Sequence, residues 1–207
     1  MHEENETVRI EAFSDGVFAI AITLLVLEIK IPAHDSVAVR GLGQSLAALW
    51  PRYLAFLISF VTILVMWVQH HWIFTQIRRA DHPLLYWNGL LLLAVTFVPF
   101  PTGLLAEYLL HSEAKVAASL YTGNFLVISV FFHGLWRHVS KSGRLLARNA
   151  MSADLDAALW ITRKYQFAPL FYLAAFGLSF ISEIAGVSSC LLLALLFALR
   201  GWPVRVR

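Results

Sequence analysis

Arg9-Ile10-Glu11-Ala12-Phe13-Ser14-Asp15-Gly16-Val17-Phe18-Ala19-Ile20-Ala21-Ile22-Thr23-Leu24-Leu25-Val26-Leu27-Glu28 is the stretch on which the fold turns. Its centre, from Gly16 to Leu27, carries no charge. A helix crosses the roughly 30 Å hydrocarbon core of a bilayer with about 20 mostly apolar residues, at about 1.5 Å of rise each. The stretch therefore predicts a first membrane span from about Val8 to Ile31. A cleaved signal peptide is not expected. Glu3, Glu4 and Glu6 stand where a basic segment belongs, and no clean small-residue cleavage site follows.

Five further apolar stretches follow. They run from Tyr53 to about Phe74, from about Leu84 to Tyr108, from Val116 to Trp136, from Tyr165 to Ser182 and from Ile184 to Leu199. The third contains the breaker Pro99-Phe100-Pro101. The last two are nearly contiguous, and only Ser182-Glu183 and Gly186 mark a turn between them. The expected fold is an all-α membrane protein of six transmembrane helices, with residues 1–207 forming one domain. The composition agrees: hydrophobic residues make up 59% of the chain and charged residues 14%, with a mean hydropathy of +0.69. A soluble domain is about 45–50% apolar and about 25% charged, so a cytosolic globular enzyme and a disordered chain are both excluded. A lone cysteine, Cys190, excludes a disulfide scaffold and a cysteine-based zinc site. The net charge of +3 does not point to nucleic acid; in a membrane chain the distribution of charge counts for more than its sum.

That distribution orients the chain. With a cytoplasmic N-terminus, the inner segments hold Arg9, Arg78, Arg79, Arg137, Lys141, Arg144, Arg148, Arg163, Lys164, Arg200, Arg205 and Arg207. The outer segments hold Lys30, Arg40, Arg52 and Lys115. Twelve against four places both termini in the cytoplasm. Trp50, Trp72, Trp87, Trp136 and Trp160 fall near span ends, as interfacial anchors do. Between the first two spans, Leu42, Leu46 and Leu49 share one helical face. Ser36 to Trp50 is thus either a short interfacial helix or a polar loop with scattered leucines. The hydrophilic stretch Ser140 to Lys164 either faces anionic lipid or is simply solvated.

Several polar residues intrude into the spans. A carboxylate at Asp15 is expensive in a bilayer and is by default a functional candidate; it also fits an acidic first turn that complements the helix dipole. Ile20, Thr23, Leu24 and Leu27 share one face of the first span. Around a symmetry axis such a face would build apolar rings and one hydroxyl ring, able to gate by dewetting and to replace part of an ion's hydration. Alternatively the stripe packs on neighbouring helices, with Thr23 bonding the Ala19 carbonyl. In the second span, Trp67-Val68-Gln69-His70-His71-Trp72 places two histidines about 100° apart on the helix, so one face cannot offer both to a metal. No His-x-x-x-His occurs, and no metal or cofactor is expected. Asn88 intrudes into the third span. In this topology Asp15, His70 and Asn88 lie at a similar depth. Nucleotide-binding loops, serine-hydrolase elbows and the Thr-Val-Gly-Tyr-Gly filter are absent.

Arg9-x-x-x-Phe13-Ser14-Asp15 and the run Gly16 to Leu25, with His70-His71, Asn88 and Pro99-Phe100-Pro101, resemble the transmembrane protein 175 family of potassium channels. The resemblance implies a pore built mostly from first-span helices, without a re-entrant filter loop. The motif occurs once here, which implies the prokaryotic homotetramer in a plasma membrane, surrounded by lipid and conducting K+. It also implies a hydrophobic constriction at Ile20, a selectivity threonine at Thr23 that K+ passes transiently, and further pore-lining positions at Leu24 and Leu27. The Phe-Ser-Asp motif would be held by His70 or His71 and by Asn88. An enzyme is not implied. The alternative is a secondary or proton-coupled transporter in which Asp15 and His70 or His71 relay protons.

Overall fold

The structure, a computed structural model, describes residues 5–142, 145–146 and 155–199. Among these, regular structure is helical apart from one isolated bridge between Ile77 and Leu146. Helix α1 (Asn5–Leu24) runs into a single 3₁₀ turn, Leu25–Glu28. Two short helices follow, α2 (His34–Arg40) and α3 (Leu42–Ala47). They meet at Gly41, whose φ of 78° lies in the left-handed region that glycine enters without penalty. The Ser36 to Trp50 stretch is therefore helical, with Leu42 and Leu46 exposed.

Helix α4 (Trp50–Thr75) starts with Pro51 in its first turn, where a missing amide costs nothing. Helix α5 (His82–Thr96) is capped by Asp81, whose carboxylate accepts the Leu84 amide at 2.9 Å. The same carboxylate takes His138 Nε2 at 2.9 and 3.0 Å. Burial alone would push the Asp81 carboxyl up; the Leu84 amide and the His138 ring outweigh it and hold it below the usual carboxylate range. Prolines 99 and 101 interrupt the third span as expected, because neither can donate into the preceding turn. The result is a separate α6 (Pro99–Tyr108).

Helices α7 (Ala114–Ser142), α8 (Leu155–Ser179) and α9 (Glu183–Leu199) complete the described chain. Pro169 inside α8 leaves the Tyr165 carbonyl without its helical amide; His133 Nδ1 bonds that carbonyl at 3.0 Å. Among the described residues, four segments are long and apolar enough to cross a membrane: Thr7–Glu28, Trp50–Thr75, His82–Tyr108 and Ala114–Ser142. They correspond to the first four expected spans.

The remaining boundaries shift. The fourth helix continues past Trp136 to Ser142, and α8 begins at Leu155 rather than Tyr165. The hydrophilic stretch is thus helical at both ends. Its middle, with Arg144 and Arg148, lies outside the described residues. So do Arg200, Arg205, Arg207 and the side chains of Trp160, Arg163 and Lys164. The turn between α8 and α9 falls at residues 180–182, and Ser182 Oγ accepts the Ala185 amide at 3.3 Å. Gly186 is not part of it. A Cβ there would sit 2.6 Å from Ser179 Cβ and 2.8 Å from its Cα, so this glycine lets two helices approach closely.

The core centres on α7, where Tyr121, Phe125, Ile128 and Leu135 are fully enclosed. Helix α7 packs on α5, α6, α8 and α9, and α4 packs on α6 and α9. Ser59 of α4 bonds Thr102 of α6 at 2.8 Å and Tyr121 of α7 at 3.1 Å. Such bonds join helices where apolar lipid supplies little drive for association. Helix α1 lies at the side of this bundle, against α4 and α5.

Candidate functional site

Helix α1 has two different faces. Thr7, Ser14, Phe18, Ala21 and Leu25 are buried against the bundle. Their spacing of three, four and seven residues keeps them on one stripe. The other face carries Phe13, Ile20, Thr23, Leu24 and Leu27, all exposed. Ile20 is 57% and Leu27 69% exposed. Among the described residues the Ile20-Thr23-Leu24-Leu27 stripe is therefore brought together as a continuous exposed strip. Thr23 Oγ1 donates to the Ile20 carbonyl at 2.9 Å, not to that of Ala19. Its proton points back along the helix while the oxygen's lone pairs remain open.

The Phe-Ser-Asp motif divides in three, because consecutive residues on a helix diverge by about 100°. Phe13 points outward. Ser14 points into the bundle, where its Oγ donates to the Ile10 carbonyl at 2.8 Å and accepts Asn88 Nδ2 at 3.0 Å. Asn88 Oδ1 in turn lies 2.8 Å from His70 Nε2. With the amide donating to Ser14, the carbonyl accepts from the ring, which places the imidazole proton on Nε2. Ser14, Asn88 and His70 are each under 5% exposed. The chain of bonds crosses α1, α5 and α4 at one depth, as expected for His70 and Asn88. The His70 ring stacks on Phe74, centroids 4.4 Å apart, and meets Phe18 at 5.3 Å. Its Nδ1 is buried without a hydrogen-bond partner.

Asp15 turns instead toward α4, where its carboxylate accepts Trp67 Nε1 at 2.8 Å. Trp67 was not foreseen as a site residue. It lies three and four residues before His70 and His71, hence on their side of α4. Hydropathy counts an indole as apolar although it carries one donor. His71 makes no bond to the motif; it stacks on Trp67, centroids 6.2 Å apart. His70 is thus the histidine that joins Asn88, and His71 backs the tryptophan. Asp15 bonds neither His70 nor His71; its carboxylate is taken by the Trp67 indole instead. Arg9 is exposed at the start of the helix. No group of three metal-ligating side chains converges among the described residues.

The family model described as Endosomal/lysosomal potassium channel TMEM175 matches residues 9–99. That segment contains the whole exposed stripe and every member of the polar anchor. A protein named as a potassium channel of Chamaesiphon minutus is 61% identical over 199 residues, 96% of this chain and 97% of its own length. A second, from Streptomyces collinus, is 41% identical over 204 residues, 98% of this chain and 97% of its own length. A crystal structure described as a lysosomal potassium-selective channel TMEM175 homolog from Chamaesiphon minutus matches at a TM-score of 0.84 and 58% identity. The match covers 95% of this chain and 98% of that one.

Proposed function

This chain belongs to the TMEM175 family, and from that premise we propose that it is one subunit of a homotetrameric, potassium-selective channel. The single observation that carries the reading is the uncovered face of α1. Of the four membrane-length segments, Thr7–Glu28 is the least buried, at 22% against 33–56% for the others. Its exposed strip is apolar except for one hydroxyl. Four copies facing an axis convert that strip into rings. Ile20 forms the hydrophobic constriction, Leu24 and Leu27 line the outer pore, and Thr23 supplies the oxygen ring that selects K+. Apolar rings resist ions because they offer nothing in place of hydration water.

Ser14, Asn88 and His70, with Asp15 on Trp67 and His71 behind it, form the anchor that fixes the rotation of α1. Phe13 and Arg9, the exposed members of the motif, lie on α1 toward its inner end. The subunit is one domain over residues 1–207 with six membrane helices, in a plasma membrane, with both termini cytoplasmic. It conducts passively, catalyses no reaction, needs no cofactor and binds no nucleic acid. Its partners are its own copies, lipid and the permeant ion.

Purified protein in liposomes tests the reading by current in mixed potassium and sodium. A passive, ohmic, potassium-favouring current is expected. Slow, saturating transport coupled to a second ion would replace the channel with the carrier.

A further inference from the structure

Immediately beyond Thr23 and Leu24, α1 leaves α geometry for the 3₁₀ turn Leu25–Glu28. The last carbonyls of a helix lack intrahelical partners. The Glu28 carbonyl here accepts the Lys30 amide at 3.1 Å and Nη1 of Arg52 at 3.1 Å. The other guanidinium nitrogen of Arg52, Nη2, pairs with Oε2 of Glu107, and Lys30 Nζ lies 3.5 Å from the same oxygen. Arg52 belongs to the first turn of α4 and Glu107 to the last turn of α6. The Arg52 side chain is only 12% exposed. The Glu28 side chain lies over Gly103 of α6, where a Cβ would collide with its Oε2. One guanidinium fork therefore ties the end of α1 to α4 and α6. A planar fork suits two acceptors at once, which an ammonium does not match.

The 3₁₀ turn also decides where Leu27 points. Residues advance by about 120° in a 3₁₀ helix and about 100° in an α-helix. Leu25 is fully buried and fixes one side of the turn, while Leu27 is 69% exposed on the other. Rewinding the turn into α geometry would change the direction of Leu27 by roughly 20° per residue. We propose that Arg52 is a positioning residue of the pore: it holds the outer turn of α1 in 3₁₀ geometry and so sets the direction in which Leu27 points, with Glu107 as its counter-anchor. This rests on the pore reading of α1.

The experiment separates the two. Leu27→Cys is introduced into the full-length channel, where the only native cysteine, Cys190, is buried. Modification by a neutral methanethiosulfonate is followed as loss of current, alone and combined with Arg52→Gln or Glu107→Gln. Tetramer content is measured in parallel. Arg52→Gln removes a positive charge and Glu107→Gln a negative one, yet both open the clasp. Losing a charge-assisted bond is expected to change the modification rate on the order of tenfold, in the same direction in both, with tetramers intact. Arg52→Lys, which keeps the charge but not the fork, is expected to follow Arg52→Gln. Unchanged rates in both, opposite shifts in the two, or wild-type behaviour of Arg52→Lys would each overturn the positioning role. Modified Leu27→Cys that leaves the current untouched in the otherwise unaltered channel would overturn the pore reading beneath it. Glu107 is half exposed, so its variant folds even where an Arg52 variant does not.

Discussion

Ile20 and Ile22 have the same side chain and sit two residues apart, yet the helix sends them to different places. Ile20 lies on the uncovered strip, and Ile22 packs against the hydrophobic core. If a dry Ile20 ring limits conduction, each 1.4 kcal/mol removed from its barrier raises current about tenfold. Ile20→Ser should therefore increase current or open probability, while Ile22→Ser should leave conduction near wild type and lower the melting temperature. Recordings of the two variants side by side check the facing of the helix; activation by Ile22→Ser alone would put the pore strip on the wrong face. Thr23→Val keeps the shape and removes the oxygen. Current should survive while the preference for K+ over Na+ falls, seen as a shifted reversal potential in mixed ions. At this scale the sequence was legible wherever one residue's character sufficed. His70 and Asn88 were recognisable as polar intrusions in need of partners, but Trp67 was not, since its single donor is hidden inside an apolar residue. The Thr23 hydroxyl partner also shifted, because Ile20 and Ala19 both offer carbonyls within reach and only rotamer geometry chooses between them.

Among elements, the anchor makes α1 dependent on α4 and α5. Asn88 is the hinge of that dependence, because it bonds Ser14 and His70 together. Asn88→Ala would leave His70 Nε2 buried without a partner, at about 1–3 kcal/mol, and would remove one of the two bonds of Ser14. Asp15→Ala would strand only the Trp67 indole, which is partly buried. The expected order of thermal stability in detergent is wild type, then Asp15→Ala, then Asn88→Ala. Tetramer yield should fall further than ion preference in whatever channels remain. Equal melting temperatures for Asn88→Ala and wild type would mean that the anchor carries no stability. The first four helices were readable from hydropathy because uninterrupted apolar length is a local property. The break at Pro99 was readable for the same reason. The α8–α9 boundary was harder: apolar residues run through the turn, and Gly186 serves a contact with Ser179 that no local pattern reveals. The early start of α8 escaped notice because a solvated helix and a solvated loop share a composition.

At the scale of the whole molecule, one subunit supplies one α1, and a single helix cannot enclose a path. Closed cyclic symmetry is the general solution for a self-associating chain, and the exposed strip of α1 gives the axis its place. In the proposed assembly residues on that strip approach their own copies, whereas residues on the buried stripe do not. Leu27 and Ala21 make the comparison: Leu27 is 69% exposed, Ala21 is fully buried, and both lie on the same helix. The native protein contributes little background, since its one cysteine is enclosed in the core. Mild oxidation of Leu27→Cys should produce covalently linked pairs of subunits on a denaturing gel, with at most two chains per link because each thiol pairs once. Ala21→Cys should produce none. Native mass spectrometry of the unlinked protein should give four chains. Monomers or dimers alone there, or linkage through Ala21→Cys but not Leu27→Cys, would mean that the uncovered face of α1 meets lipid rather than its own copies.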